Sequence, residues 1–337
     1  MRFLRRPQFW VVTAISLACL VLAFRHVPLA ELGRSLAHGN YLWLVPALAF
    51  QVAGTLSRSQ RWVVLLKARG HLADSFWSQG IGYLFTNILP FRMGEPARVL
   101  AMSQRCNLPF FQVASSAVVE RLLDASTCVT ALVVILPFVD VPVNVARAGV
   151  AMGILALAGL GVLLLAAHSR KFSEVVLPGL IARIRWLPSE KILRWWREIV
   201  VGLASLTNWR MFGVAVFWSL TTWFLAIATN WATMRVVCPA ATLVEAAFLI
   251  AVLAFAVSVP SSPGFIGVFQ LAGQQALVLP FGGKYDAQSA LAIALLCHVF
   301  YYLFSTSMGL VGLWKLNLSF AGLSRMITGK EARPTAA

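Results

Sequence analysis

The stretch Asn87-Ile88-Leu89-Pro90-Phe91-Arg92-Met93-Gly94-Glu95-Pro96-Ala97-Arg98 decides how this chain is read. It sets two prolines, a glycine, two arginines and a glutamate between long apolar flanks. Pro90 closes one helical segment, and Pro96 suits the first turn of the next, where its missing N–H costs nothing. Gly94 lends the backbone freedom to turn between them. A second break, Val259-Pro260-Ser261-Ser262-Pro263-Gly264-Phe265-Ile266-Gly267, interrupts the other half of the chain. Broken segments at corresponding places in two halves of a membrane protein point to a transported-substrate site.

Outward from these breaks, the 337 residues are 59% hydrophobic and only 12% charged. With a mean hydropathy of +0.79, that excludes an ordinary soluble domain and predicts an all-α polytopic membrane protein. The net charge of +16 does not point to nucleic acid, because the basic residues flank apolar spans. They read as positive-inside topology and contact with anionic lipid. Tryptophans such as Trp10, Trp43, Trp62, Trp186, Trp209 and Trp314 lie near span ends, as interfacial anchors do. Arg2, Arg5 and Arg6 precede the apolar run 9–24 without a small-residue cleavage site, which predicts an uncleaved first span. The five cysteines lack metal or disulfide spacing, no phosphate-binding GxxxxGK[ST] loop occurs, and no cofactor is expected.

Apolar stretches fall near 9–24, 41–57, 76–90, 109–139, 146–167, 211–234, 243–260, 264–281 and 286–314. Four basic regions should be cytoplasmic: the N-terminus, the cluster Arg58-Arg61-Lys67-Arg69, the segment 168–210, and the tail with Lys315, Arg325, Lys330 and Arg333. Parity then requires residues 74–104 to enter and leave from the cytoplasmic side, as a re-entrant hairpin bent near Pro90. By the same count, residues 243–281 enter and leave from outside. The expectation is about six full transmembrane helices plus two oppositely oriented re-entrant hairpins, an inverted repeat. These would form one transmembrane domain, 1–320, with halves at about 1–167 and 168–320 and a short cytoplasmic tail at 321–337. The basic stretch 170–198 reads equally as an interfacial amphipathic helix or a solvated loop.

The candidate site follows from charge at membrane depth, where a lone ion costs about 2.5–3.5 kcal/mol on insertion scales. Glu95 can neutralise only one of Arg92 and Arg98. One guanidinium is left for an anion, and its planar fork matches phosphate. Asn87, Pro90 and Gly94 shape that bend. In the second break, Ser262 reads as a helix N-cap and Pro263 as the first helical residue, with Ser261, Gly264 and Gly267 around them. A half-helix starting at depth aims N–H groups and a positive dipole end inward, which again favours an anion. On the helix after the first hairpin, Ser116, Glu120 and Asp124 share a face, with Arg121 three residues before Asp124. His298 on the last span reads as hydrogen-bonded structure or as a proton relay.

These three blocks, Asn87 to Arg98, then Glu120-Arg121-Leu122-Leu123-Asp124, then Pro260 to Gly267, resemble the lysylphosphatidylglycerol synthase transmembrane (flippase-type) family. The family pattern in words is N-x-x-P-x-R-x-G-E-x-x-R, then E-R-x-x-D, then P-x-S-P-G-x-x-G. The resemblance implies lipid movement or support of a lipid pathway. The aminoacyltransferase domain would follow the membrane region. Since the chain ends about two dozen residues after its last span, a stand-alone member without that activity is expected.

The function expected is therefore a lipid flippase of the bacterial inner membrane with both termini cytoplasmic. Its cargo is an amphiphile with an anionic, phosphate-bearing or isoprenoid-linked head. It is not expected to be an enzyme. Partners would be membrane lipids and lipid-biosynthesis enzymes, not nucleic acid. The alternatives are an accessory subunit of a membrane-lipid pathway (hopanoid, glycolipid or polyprenyl) and a lipid-modifying enzyme.

Overall fold

The structure is a computed structural model and describes residues 7–25, 27–89, 93–139, 208–258 and 262–327, with positions 147, 151, 153–155, 158–159 and 161 between. Every regular element among them is helical. In chain order these are α1 (Pro7–Phe24), α2 (Leu29–Ala37), α3 (Leu44–Leu65), α4 (Leu72–Ile88), α5 (Gly94–Cys106) and α6 (Phe110–Ile135). There follow α7 (Trp209–Val237), α8 (Leu243–Ala256), α9 (Val268–Phe281), α10 (Ala287–Lys315) and α11 (Phe320–Ile327). A 3-10 turn, Pro263–Phe265, precedes α9.

Four stretches among the described residues are long and apolar enough to cross a bilayer: Phe110–Phe138, Trp209–Val237, Pro263–Phe281 and Ala287–Lys315. A fifth is reached if α1 and α2, bent by 80°, count as one span. The chain is a multi-pass membrane protein. The expected count of six full spans is not reached by this measure. One reason is α3, whose 22 residues cover about 33 Å but whose polar run at 57–61 lowers its apolarity. Another is that the stretch 146–167 falls largely outside the described residues, as do positions 168–207 of the basic segment.

Both expected hairpins are present. The 17 residues of α4 cover about 25 Å, and the 13 of α5 about 20 Å, each short of the roughly 30 Å hydrocarbon core. The arms are antiparallel. Arg105 Nε donates to Asp74 at 3.0 Å at the open end, and Gly94 lies against Gly82 and Thr86 at the tip. In the second hairpin, α8 and α9 of 14 residues each are joined at the open end by Lys284 and Glu245, 2.7 Å apart. So each hairpin carries an ion pair where its arms meet the surface.

The two hairpins pack on opposite halves of α10. Gly80 of α4 meets the backbone of Met308, and Gly309 lies on Leu84 and the Gly80 carbonyl. This glycine seam lets the helices approach closely where lipid supplies no hydrophobic drive for association. On the other half, Gly273 of α9 touches Ala294. The tips converge mid-helix: Asn87 Nδ2 donates to Ser305 Oγ (2.8 Å) and Thr306 Oγ1 (2.9 Å), while His298 bonds the Gly264 carbonyl (2.7 Å). Opposed hairpins meeting on one span match the parity argument.

Two expectations change. Residues 321–327 of the expected short tail are helical, and α11 folds back onto the first hairpin. The Phe320 ring sits 4.5 Å from that of Phe85, and Leu323 is buried among Ile81 and Ala97. Residues 328–337 lie outside the described set. Trp62 is no interfacial anchor either. It is fully buried and donates its indole N–H to Ser116 Oγ at 3.0 Å, whereas Trp10, Trp209 and Trp314 are exposed.

Candidate functional site

Arg58 and Arg61 stand three residues apart on α3, and Glu120, Arg121 and Asp124 cluster on α6. Glu95 and Arg98 occupy the first turns of α5, and all seven side chains join in one network. Glu120 is its hub, with carboxylate oxygens 3.2 Å from Arg61, 3.1 Å from Arg98, 3.0 Å from Arg121 and 4.0 Å from Arg58. Asp124 takes Arg61 Nη1 at 2.7 Å, Arg121 at 3.4 Å and Arg58 at 3.5 Å. Glu95 bridges Arg98 (2.8 Å) and Arg121 (3.3 Å). Ser219 of α7 accepts from Arg61 Nη1 (2.8 Å), and Gln79 of α4 accepts from Arg98 Nη1 (3.1 Å). Trp62 places its ring 4.7 Å from the Arg98 guanidinium, a favourable cation–π geometry.

The network has an inner layer and an open edge. The side chains of Arg61 and Glu120 are 0% exposed, whereas those of Arg121 and Glu95 are 43% and 45% exposed. Among the described residues it holds four guanidiniums and three carboxylates, a formal excess of one positive charge. Four buried donor atoms, Arg61 Nε and Nη2, Arg98 Nη2 and Gln79 Nε2, make no hydrogen bond, against one carboxylate oxygen, Asp124 Oδ2. Buried polar groups are normally satisfied, so the inner layer retains donor capacity beyond its own carboxylates.

Several sequence expectations are revised here. Arg98, expected with Arg92 to meet a phosphate, is buried and held by Glu95, Glu120 and Gln79. The arginines facing the open edge are instead Arg121 and, in part, Arg58. Arg58 and Arg61, counted in one cytoplasmic basic cluster, both belong to α3 and the network; only Lys67 and Arg69 of that cluster sit in the connection to α4. Their three-residue spacing is the signal that could have placed them on one helix. Gln79 and Ser219 carried no signal at all. Gly94 matters for close approach rather than turning: a Cβ there would collide with Thr86 Oγ1 and the Gly82 carbonyl. Pro90 and Arg92 lie outside the described residues. So does Ser261.

The second break is tied by hydrogen bonds to α1 and α10. Gly264 and Gly267 take positive φ, 68° and 89°, conformations glycine tolerates. Pro263 opens the 3-10 turn, but Ser262 caps no helix: its Oγ donates to the Ile266 carbonyl, and its N–H donates to Ser16 Oγ of α1. The helix proper begins at Val268, and the Gly267 N–H is taken by Gln270 Oε1 at 2.7 Å. That bond fixes a chain. With its oxygen occupied, Gln270 donates through Nε2 to His298 Nδ1 (2.7 Å), so His298 is neutral and donates from Nε2 to the Gly264 carbonyl. His298 is hydrogen-bonded structure in this arrangement. Replacing Gln270 by leucine should release the Gly267 N–H and His298 Nδ1 together. Backbone amide exchange of residues 262–271 should then accelerate, with α4 and α5 unchanged; equal protection in both proteins would contradict the chain.

The predicted residues therefore fall into two groups. Glu95, Arg98, Glu120, Arg121 and Asp124 form the ionic network, with Gly94 holding the hairpin that carries the first two. Asn87, Ser262, Pro263, Gly264 and Gly267 belong to the junction of the tips. Searches against curated proteins and against solved structures return no match. The family profile described as the lysylphosphatidylglycerol synthase TM region matches residues 9–309, nearly the whole described body, and the chain belongs to that family.

Proposed function

We propose that this protein moves an amphiphile with an anionic head across the bacterial inner membrane, without chemical transformation of the lipid. The observation that carries this reading is the excess guanidinium at an ionic network open on one edge, where Glu95 and Arg121 are half exposed. A headgroup phosphate is the external counterpart of Glu95. By taking Arg121, and Arg58 beside it, the phosphate competes with the carboxylate that bridges α5 to α6. Guanidinium favours that exchange because it binds phosphate through two parallel N–H bonds. Loss of the Glu95 bridge frees the first hairpin relative to α6, and the opposed hairpin offers the equivalent movement from the other face. Both termini are placed in the cytoplasm by the positive-inside pattern, and enzymes of lipid synthesis would supply the cargo.

The test is transbilayer movement of tail-labelled fluorescent phosphatidylglycerol in proteoliposomes, read by quenching of the outer-leaflet label. Wild type should accelerate movement over protein-free vesicles. Arg121→Ala should slow it about tenfold, the equivalent of about 1.4 kcal/mol of lost headgroup binding, while retaining its thermal stability. Equal rates with and without protein would overturn the transport reading and leave the accessory role.

A further inference from the structure

A groove of about 530 Å³ runs along the lipid-facing side of α10 from Leu296 to Val311, walled by Leu44 and Leu48 of α3 and by Phe76 and Trp77 of α4. Its lining is apolar apart from Ser307. Fifteen helical steps give it a length of about 22 Å, which one extended hydrocarbon chain can follow from end to end.

The walls also lead to the ionic network. On α3, Leu44, Leu48, Gln51, Thr55 and Arg58 recur at spacings of three and four and share one helix face. On α4, Phe76 and Tyr83 are seven apart and share a face as well. Tyr83 packs edge-on against Tyr301 of α10, with centroids 6.0 Å apart, and Arg58 lies within electrostatic range of both rings. Along α3 the change from apolar groove at Leu48 to charge at Arg58 takes ten residues, about 15 Å.

We infer that this groove binds one hydrocarbon chain of the amphiphile whose head engages the network. The inference rests on the proposed function for the head, while the tail site is separable from it. A groove filled in this way holds the chain in place while the head enters the polar interior. It makes the substrate class a lipid with at least one long chain, not a free phosphate or soluble anion.

The experiment is photolabelling in vesicles of phosphatidylglycerol containing a trace of the same lipid with a diazirine midway along one acyl chain. Labelled peptides should concentrate on α10 between Leu296 and Val311, several-fold above the exposed surface of α7 at Phe217 and Phe224. Leu303→Trp and, separately, Leu48→Trp fill the groove from opposite walls and should lower α10 labelling to the α7 level with unchanged thermal stability. Uniform labelling of α7 and α10, or labelling indifferent to both substitutions, would overturn the tail site. Arg121→Ala should slow headgroup-dependent movement about tenfold and leave groove labelling intact. A phosphatidylcholine probe that labels the groove equally, with no transport preference for phosphatidylglycerol, would remove the anionic-head reading and keep the groove.

Discussion

A Glu120→Gln protein is expected to lose about 3–5 kcal/mol of stability, the cost of leaving a buried charge without its partner. Glu120 is in contact with Arg61, Arg98 and Arg121 at 3.0–3.2 Å. Its removal turns four guanidiniums and three carboxylates into four against two, with Arg61 and Arg98 buried. Arg61→Met leaves three of each, and Asp124 keeps Arg58 and Arg121. That variant should therefore cost distinctly less, although it removes a group just as buried. Glu95→Gln, half exposed, should cost only about 1 kcal/mol or less, since exposed ion pairs contribute little. Thermal denaturation of the three purified variants in one detergent checks this order. If Arg61→Met proves more damaging than Glu120→Gln, the charge excess is not what organises the network.

Gly94→Ala is expected to disable the protein through packing alone. The added methyl meets Thr86 Oγ1 and the Gly82 carbonyl. Trimming Thr86 to alanine cannot relieve the second clash, because it is with backbone. The hairpin arms must part, which carries Arg98 away from Gln79 and Glu120. Overpacking of this kind costs about 1–3 kcal/mol, and lipid movement should fall with it. Gly33→Ala is the matching control: nothing lies within 4 Å of a Cβ there. Filling that helix-interior glycine should stabilise α2 by about 0.5–1 kcal/mol. Parallel melting and transport curves would show whether the hairpin, rather than glycine loss in general, is the sensitive element.

The hairpins were legible because their signals are local. Pro90 forces the chain out of helix at the residue before it, and α4 indeed ends at Ile88, with Leu89 extended. Prolines 260 and 263 mark the other break in the same way. The parity of basic loops then required both segments to turn back, and the tips do converge on α10. Less was legible in the site. Glu95, Arg98, Glu120, Arg121 and Asp124 could be picked out because ionisable residues are rare and costly at membrane depth. Their pairing could not, since Arg61 and Glu120 are far apart in sequence and Arg61 resembled any cytoplasmic anchor.

Hydropathy, charge parity and proline placement thus suffice for an all-helical membrane protein with two opposed hairpins and a charged bend. They act through the solvent and the backbone, which respond to each segment on its own. Which arginine is enclosed and which faces the open edge depends on three helices, α3, α5 and α6, meeting around Glu120. Whether Gln270 holds the Gly267 amide at the start of α9 depends in turn on a distant residue, His298, accepting from its Nε2. Such outcomes are set by the angle and depth at which helices pack, because a guanidinium a few ångströms from a carboxylate is paired and the same group one turn away is free.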